Sequence, residues 1–482
     1  MLYHSTRNKN FTANSAEAVL EGLAPDGGLY MPESLPAFDW QKCLNGTALN
    51  MSADILGALL PEIDNMQELV NAAYANKFET EDLTPTVSVG DFSVLELFRG
   101  PTAAFKDVAL SVLPRLLTTA KKQCGVEEDI LILTATSGDT GKAALEGFKD
   151  VDGIRICVFY PDGGVSPVQR KQMVTQEGNN VVVCAVEGNF DDAQTGVKNI
   201  FNSFREKQLP FRLSSANSIN IGRLAPQIMY YFRAYADLIK NGTIELGDEV
   251  NFSVPTGNFG DILAGYIAKK LGLPVGMLIC ASNANNVLTD FIRTGIYDKR
   301  RALLKTQSPS MDILVSSNLE RLLYLMSGDT ELVASLMAQL NEKGVYTLPE
   351  ELKAAVQSEF WAGCCSDEQG REVIGRVWKD CAYLCDPHTA AGWAAAEEYR
   401  AATGDNRPMV VLSTASPYKF PAAVLQALGA DNGSSDEFKQ MQQLHLETGV
   451  AIPPMLADLE QKEEKHLGVI AKESMPDFVL SL

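Results

Sequence analysis

The stretch "VNFSVPTGNFGDILAGYIAKKLGLP", Val250 to Pro274, decides the fold. Val250–Pro255 is a short apolar run with β-branched residues, and it ends in the turn formers Pro255 and Gly257. Asp261 then opens an amphipathic helical pattern that closes near Gly272, and "VGMLICAS" (Val275–Ser282) begins another apolar run. The same alternation occurs elsewhere. "DILILTA" (Asp129–Ala135) precedes "GKAALEGF", "IRICVFYP" and "NVVVCAV" follow, and "MVVLSTASP" (Met409–Pro417) comes late in the chain. Near-continuous apolar strands separated by helices indicate an α/β fold with mainly parallel sheets covered on both faces.

Outside this region the character changes. The first ninety or so residues carry helical patterns, "NSAEAVLEGL" and "MQELVNAAYANKF", with Asn14 or Ser15 as cap and Glu17 in the opening turn. Residues 299 to 400 read as mostly helical. From residue 431 onward the chain is charged and helix-prone, as a surface element would be. No internal repeat and no low-complexity segment is present.

The 482 residues are 46% hydrophobic, 8% aromatic and 21% charged, the composition of an ordinary globular protein. A formal charge of -20, from 61 acidic and 41 basic side chains, argues against a nucleic-acid or anionic-membrane partner. An anionic substrate would need a local basic or amide-lined pocket. The 9 dispersed cysteines fit reduced thiols in a cytoplasmic protein. The opening "MLYHSTRNKN" has neither a secretory nor a transit character, and no apolar run is long enough to span a bilayer. With only four histidines, a zinc site or a Ser-His-Asp triad would depend mainly on His388, and no metal site is expected.

Three stretches carry chemistry. "LFRGPTAAFKD" places Lys106 after Ala103, Ala104 and Phe105. Either its stem lies on apolar surface with the charge in water, or burial lowers its pKa so that a neutral amine can condense with an aldehyde cofactor. "TATSGDTGKAA" (Thr134–Ala144) resembles a nucleotide P-loop only superficially, since Thr136 replaces the leading glycine and Ala143 the magnesium-binding hydroxyl. Its Ser137, Gly138, Asp139, Thr140 and Gly141 offer hydroxyls and backbone amides to a carboxylate or phosphate, or form a plain cap. "SVPTGNFGDIL" (Ser253–Leu263) sets Gly257 and Gly260 about Asn258 and Phe259, either as an anion nest or as a tight turn. Both turns open at the carboxyl ends of strands, where ligands of parallel sheets bind. One lysine and one phosphate cup together suit pyridoxal phosphate.

"YHSTRN", "GLAPDGGLYMPESLP", "LELFRGPTAAFKD", "LTATSGDTGKAA", "SANSINIGRLAPQIMYYF", "VPTGNFGDILAGYIAKKLG" and "CDPHTAAG" together closely resemble threonine synthase, in the long bacterial and fungal form. The resemblance runs collinearly from residue 3 to about residue 421. It implies fold type II of the pyridoxal-phosphate enzymes, with two parallel-sheet α/β subdomains and an N-terminal, mostly helical domain. The expected division is residues 1–88, a catalytic core at 89–430 with a smaller subdomain about 112–225 inserted in the larger one, and a C-terminal helical extension at 431–482. The implied activity is that of a lyase of threonine biosynthesis, converting O-phospho-L-homoserine and water to L-threonine and phosphate. Monomer and homodimer both remain open.

Residue by residue, the resemblance implies that Lys106 holds the cofactor as a Schiff base. Gly257, Asn258, Phe259, Gly260 and Asp261 would form the cofactor-phosphate cup, Thr414 would meet the pyridine nitrogen, and Asp139 would lie beside the ring. Ser137 and Thr140 would hold the substrate carboxylate; Asn217, Ser218 and Arg223 would grip the substrate phosphate. Lys106 would act as both acid and base, which requires a pKa near working pH, and closure of the smaller subdomain would exclude water. One departure is "TASPYKF", with Ser416 where relatives often carry histidine; another is "YPDGGVSP", with Asp162 and Gly164 where basic residues often stand. No role follows from the sequence for His388, Ser416 or Lys419. The rival readings are a serine/threonine dehydratase or cysteine synthase of the same fold, or a non-catalytic relative that only binds.

Overall fold

A computed structural model describes residues 1–136, 138–204, 209–430 and 433–482. The strand at Val250–Pro255, buried at every position, lies inside a six-stranded sheet. Its neighbours are Val275–Ser282 on one side and Met409–Ser413 on the other, both parallel to it. Phe360–Cys364 extends one edge; Phe92–Glu96 and the antiparallel Thr86–Val89 complete the other. A second sheet is wholly parallel, in the order Val469–Ile470, Val181–Val186, Ile154–Pro161, Asp129–Ala135, Phe211–Ser214. Helices on both faces of each sheet explain why the strands read as unbroken apolar runs.

The helix Lys106–Gln123 joins the two sheets in sequence and packs on Asp139–Phe148. Pro114 lies inside it and cannot donate to the Leu110 carbonyl. That carbonyl faces Gly147, where an added Cβ would lie 2.0 Å from Leu110 O. The missing hydrogen bond and the missing side chain therefore meet at one close helix crossing.

The N-terminal part carries the expected helices, and Asn14 with Glu17 forms a complete capping box at Ser15–Glu21. It also contains an antiparallel sheet that periodicity did not reveal, in the order Asn8–Ala13, Tyr3–Ser5, Tyr30–Pro32. One of its links to the core is Arg321. This fully buried guanidinium donates to Tyr30 O (3.2 Å), Ser218 O (3.1 Å), Ile219 O (2.6 Å) and Asn318 Oδ1 (2.6 Å).

The last fifty residues are more than an appended surface element. Val469–Ile470 adds an edge strand to the second sheet, and Met475 and Val479 enter the core beneath it. Among the described residues, no helix is long and apolar enough to cross a membrane.

Candidate active site

The turn before Lys106 is built with strain and tight packing. Ala103 takes φ +58°, a left-handed conformation that a side chain disfavours. The Asp107 carboxylate holds the turn by accepting from Thr102 N (2.8 Å) and Thr102 Oγ1 (2.6 Å). Gly100 is needed there because a Cβ would lie 2.5 Å from Asp107 Cβ. Phe105 N donates to Thr414 O and Ser416 N to Ala103 O, so the Lys106 turn is fastened to the end of the strand Met409–Ser413.

Lys106 is therefore buried, only 7% exposed, and its amine faces a cleft of about 1800 Å³. Nζ lies 3.5 Å from Ser310 Oγ, 3.9 Å from Asp139 Oδ2 and 4.5 Å from the centre of the Phe105 ring. Burial lowers its pKa from 10.5 to about 8; Asp139 opposes the shift, and Lys419 and Arg223 assist it. The open alternative of a lysine reaching into water is excluded by this placement.

The turn at Gly257–Gly260 lines the same cleft. Phe259 has φ +61° at the start of the helix Gly260–Lys270, whose first amides have no partner within the helix. A Cβ on Gly257 would lie 2.6 Å from Ser310 O, so only glycine allows the loop carrying Ser310 to close over this turn. Asp261 is buried under the cup. Its Oδ1 accepts from Tyr230 and Tyr231, its Oδ2 has no partner, and burial raises its pKa to about 7. Burial thus disfavours the charge on this carboxyl, against the two tyrosine donors that favour it.

The other glycine turn is closed by one of its own side chains. Thr136 Oγ1 accepts from both Gly138 N and Gly141 N at 3.0 Å, so those amides are not free for a ligand. Gly138 has φ +144°, and a Cβ there would collide with Gln169. Asp139 and Thr140 line the cleft, whereas Ser137 lies outside the described residues. Asp139 is gripped by Lys419 (2.6 Å) and Gln169 (3.0 Å); burial disfavours its charge, but Lys419 and Lys106 outweigh this and hold its pKa well below the usual carboxylate range.

Asn217, Ser218 and Arg223 also border the cleft. Ser218 Oγ accepts from Asn318 Nδ2 at 3.0 Å. Arg223 is 4% exposed, and its Nε and Nη1 have no hydrogen-bond partner. Burial lowers its pKa from 12.5 to about 10. A buried guanidinium with two vacant donors is costly unless an anion completes it. Asn220 is a cap, bonded to Gly222 N and to Val19 O. Thr414, 5% exposed, faces the cleft beyond Lys106.

One further group escaped the sequence reading, and another, His388, had been noted without a role. Ser310 sits within 3.5 Å of both Lys106 and Asp139. His388 holds Ser310 in place: its Nε2 accepts from Ser310 N (3.2 Å) and its Nδ1 donates to Asp386 (2.6 Å), which fixes the neutral tautomer. No local pattern marks Ser310, which lies 204 residues from Lys106.

One buried amine, an amide-lined turn at a helix start and a hydroxyl at a third strand end, grouped at the carboxyl edge of a parallel sheet, define the fold type II pyridoxal-phosphate class. Known proteins agree. Three family models match: "Threonine synthase N terminus" over residues 2–74, "Pyridoxal-phosphate dependent enzyme" over 81–357 and "Threonine synthase, C-terminal" over 389–476. The threonine synthase of Pseudomonas aeruginosa is 39% identical, with 96% of this chain and 95% of that protein covered. A structure titled as PLP-bound threonine synthase from Brucella melitensis superposes with a TM-score of 0.87 at 38% identity, over 100% of this chain and 99% of that one. Yeast threonine synthase gives 0.88 at 32% identity, over 99% and 98%. The chain belongs to the threonine synthase family. It also matches human threonine synthase-like 1 at 38% identity over 95% of its own length, but spans only 64% of that protein.

Proposed function

We propose that the chain is a threonine synthase, a carbon–oxygen lyase that converts O-phospho-L-homoserine and water to L-threonine and phosphate with pyridoxal 5'-phosphate. The carrying observation is that the buried Lys106 amine shares one cleft with a glycine turn at a helix start and with a buried guanidinium that has two vacant donors. The turn Gly257–Gly260 suits the cofactor phosphate, with Asp261 beneath it, and the vacant donors of Arg223 suit the phosphate of the substrate. A dehydratase or cysteine synthase acting on a substrate without phosphate would have no use for the second.

Lys106 would hold the cofactor, with Asp139 beside the ring and Thr414 at its nitrogen. When bound, the cofactor supplies a sink for the electron pair left when a carbon–hydrogen bond breaks. Lys106 Nζ, brought toward neutrality by burial, accepts the proton at the substrate's α carbon and returns one later. Ser310 Oγ keeps the amine aligned between transfers. Arg223, Asn217 and Ser218 hold the phosphate as it leaves, and Thr140 orients the carboxylate. The division into an N-terminal domain, a two-part core and a C-terminal extension fits this reading, because the cleft lies between the two sheets. The nine free cysteines fit a cytoplasmic setting.

The test is phosphate release from O-phospho-L-homoserine compared with turnover of serine. Release only from the phosphorylated substrate, together with loss of both turnover and visible cofactor absorbance in Lys106→Ala, is expected. Equal turnover of serine, or a colourless wild-type protein after incubation with the cofactor, would overturn the reading.

A further inference from the structure

Lys419 is a second buried lysine beside Lys106, and the reaction as described gives it no task. Its side chain is fully buried. Nζ lies 2.6 Å from Asp139 Oδ1 and donates to Thr102 O at 3.2 Å. Each of the two partners is itself tied to the Lys106 region. Thr102 is fixed to Asp107, the residue after Lys106. Asp139 turns its other oxygen toward Lys106 and Ser310.

The contact with Asp139 also joins the two sheets. Lys419 ends a short turn, Pro417–Lys419, just past the strand Met409–Ser413 of the first sheet. Asp139 begins the helix after Asp129–Ala135 of the second sheet. Ser416 builds the turn: its Oγ accepts from Tyr418 N (3.3 Å), and its carbonyl accepts from Lys419 N (3.1 Å). Ser416 of "TASPYKF" therefore shapes the backbone that presents Lys419.

We propose that Lys419 is a positioning residue for Lys106: by pairing with Asp139 across the seam between the sheets, it aims that carboxylate and keeps it from pairing fully with the reactive amine. The inference rests on Lys106 being that amine. Without Lys419, Asp139 would have Lys106 as its nearest cation and would hold it protonated. The other charged groups around Lys106 are Arg223, which disfavours its protonation, and Asp261, which favours it. At Asp107, the residue after Lys106, burial raises the pKa and Lys419 opposes that shift, while His388 meets Lys106 through Ser310. None of these takes the place of the 2.6 Å contact on Asp139.

The test follows the pH at which full-length protein, stripped of cofactor, gains visible absorbance on adding pyridoxal phosphate. The rate at which acetic anhydride acylates Lys106, read by mass spectrometry, gives the same midpoint without the cofactor. A charge within a few ångströms moves such a midpoint by about one pH unit or more. K419M should raise it, because Asp139 then pairs with Lys106, and D139N should lower it. The double variant D139N/K419M, which buries no unpaired partner, should lie between them. A purely structural lysine predicts lower thermal stability without opposite shifts. An unmoved or lowered midpoint in folded K419M overturns the proposal; where K419M does not fold, a double variant indistinguishable from D139N overturns it. Failure of the wild type itself to capture pyridoxal phosphate would instead defeat the assignment of Lys106.

Discussion

Replacing Arg223 with methionine should make the protein more stable and much less active. In the ligand-free cleft, Nε and Nη1 of this buried guanidinium have no partner. Each unpaired buried donor costs about 1–3 kcal/mol, and methionine keeps the apolar stem while removing both. Unfolding entropy of about 2.1 cal/mol/K per residue makes 1 kcal/mol equal to about 1 °C of melting temperature in a chain of this length. Arg223→Met should therefore melt about 2–6 °C higher than wild type. Inorganic phosphate at a hundredfold excess over its dissociation constant should stabilise the wild-type holoenzyme by about 2.7 kcal/mol, about 3 °C, and the variant hardly at all. Two lost charge-assisted hydrogen bonds at about 1.5–3 kcal/mol each imply a fall in kcat/KM of about 100-fold or more. Differential scanning fluorimetry with and without phosphate, alongside a phosphate-release assay, reads all three effects. A variant that melts lower and still gains stability from phosphate would refute the assignment of Arg223 to the anion.

The opposite sign is expected at Arg321. Arg321→Met leaves Tyr30 O, Ser218 O, Ile219 O and Asn318 Oδ1 without their donor, so it should melt several degrees lower, at about 1–3 kcal/mol per stranded group, and bind phosphate more weakly in the same fluorimetric titration. Met475→Ala empties a fully buried position under the second sheet. At about 2–5 kcal/mol it should speed hydrogen exchange in Val181–Val186, while exchange in Val250–Pro255 stays unchanged.

The architecture was legible where burial on both sheet faces forced unbroken apolar strands, as at Val250–Pro255 and Asp129–Ala135. It was hidden where strands are too short or too polar to show a period. Tyr3–Ser5 and Tyr30–Pro32 have three residues each, and Asn8–Ala13 is mostly exposed. Around the site, Lys106 and Gly257–Gly260 stood out because a charge among apolar residues and paired glycines are local anomalies. Ser310, Gln169 and Lys419 did not, since their contacts span 204, 30 and 317 residues. Lys419, noted without a role, could have been placed near the site by position alone, five residues beyond Thr414 at the carboxyl end of a strand, where ligands of parallel sheets gather. Thr136 consumed amides that the glycine pattern had left for a ligand, because a threonine hydroxyl at a turn competes for nearby backbone donors.

The edge strand Val469–Ile470 pairs with Ala185 and Val186. A ribosome adding about 5–20 residues per second reaches it tens of seconds after those partners have been made. Throughout that interval Val181–Val186 is a newborn strand with an open flank, able to recruit any neighbouring chain. Synthesis of this protein thus contains a defined window of vulnerability to aggregation, and chaperone engagement should be sought there.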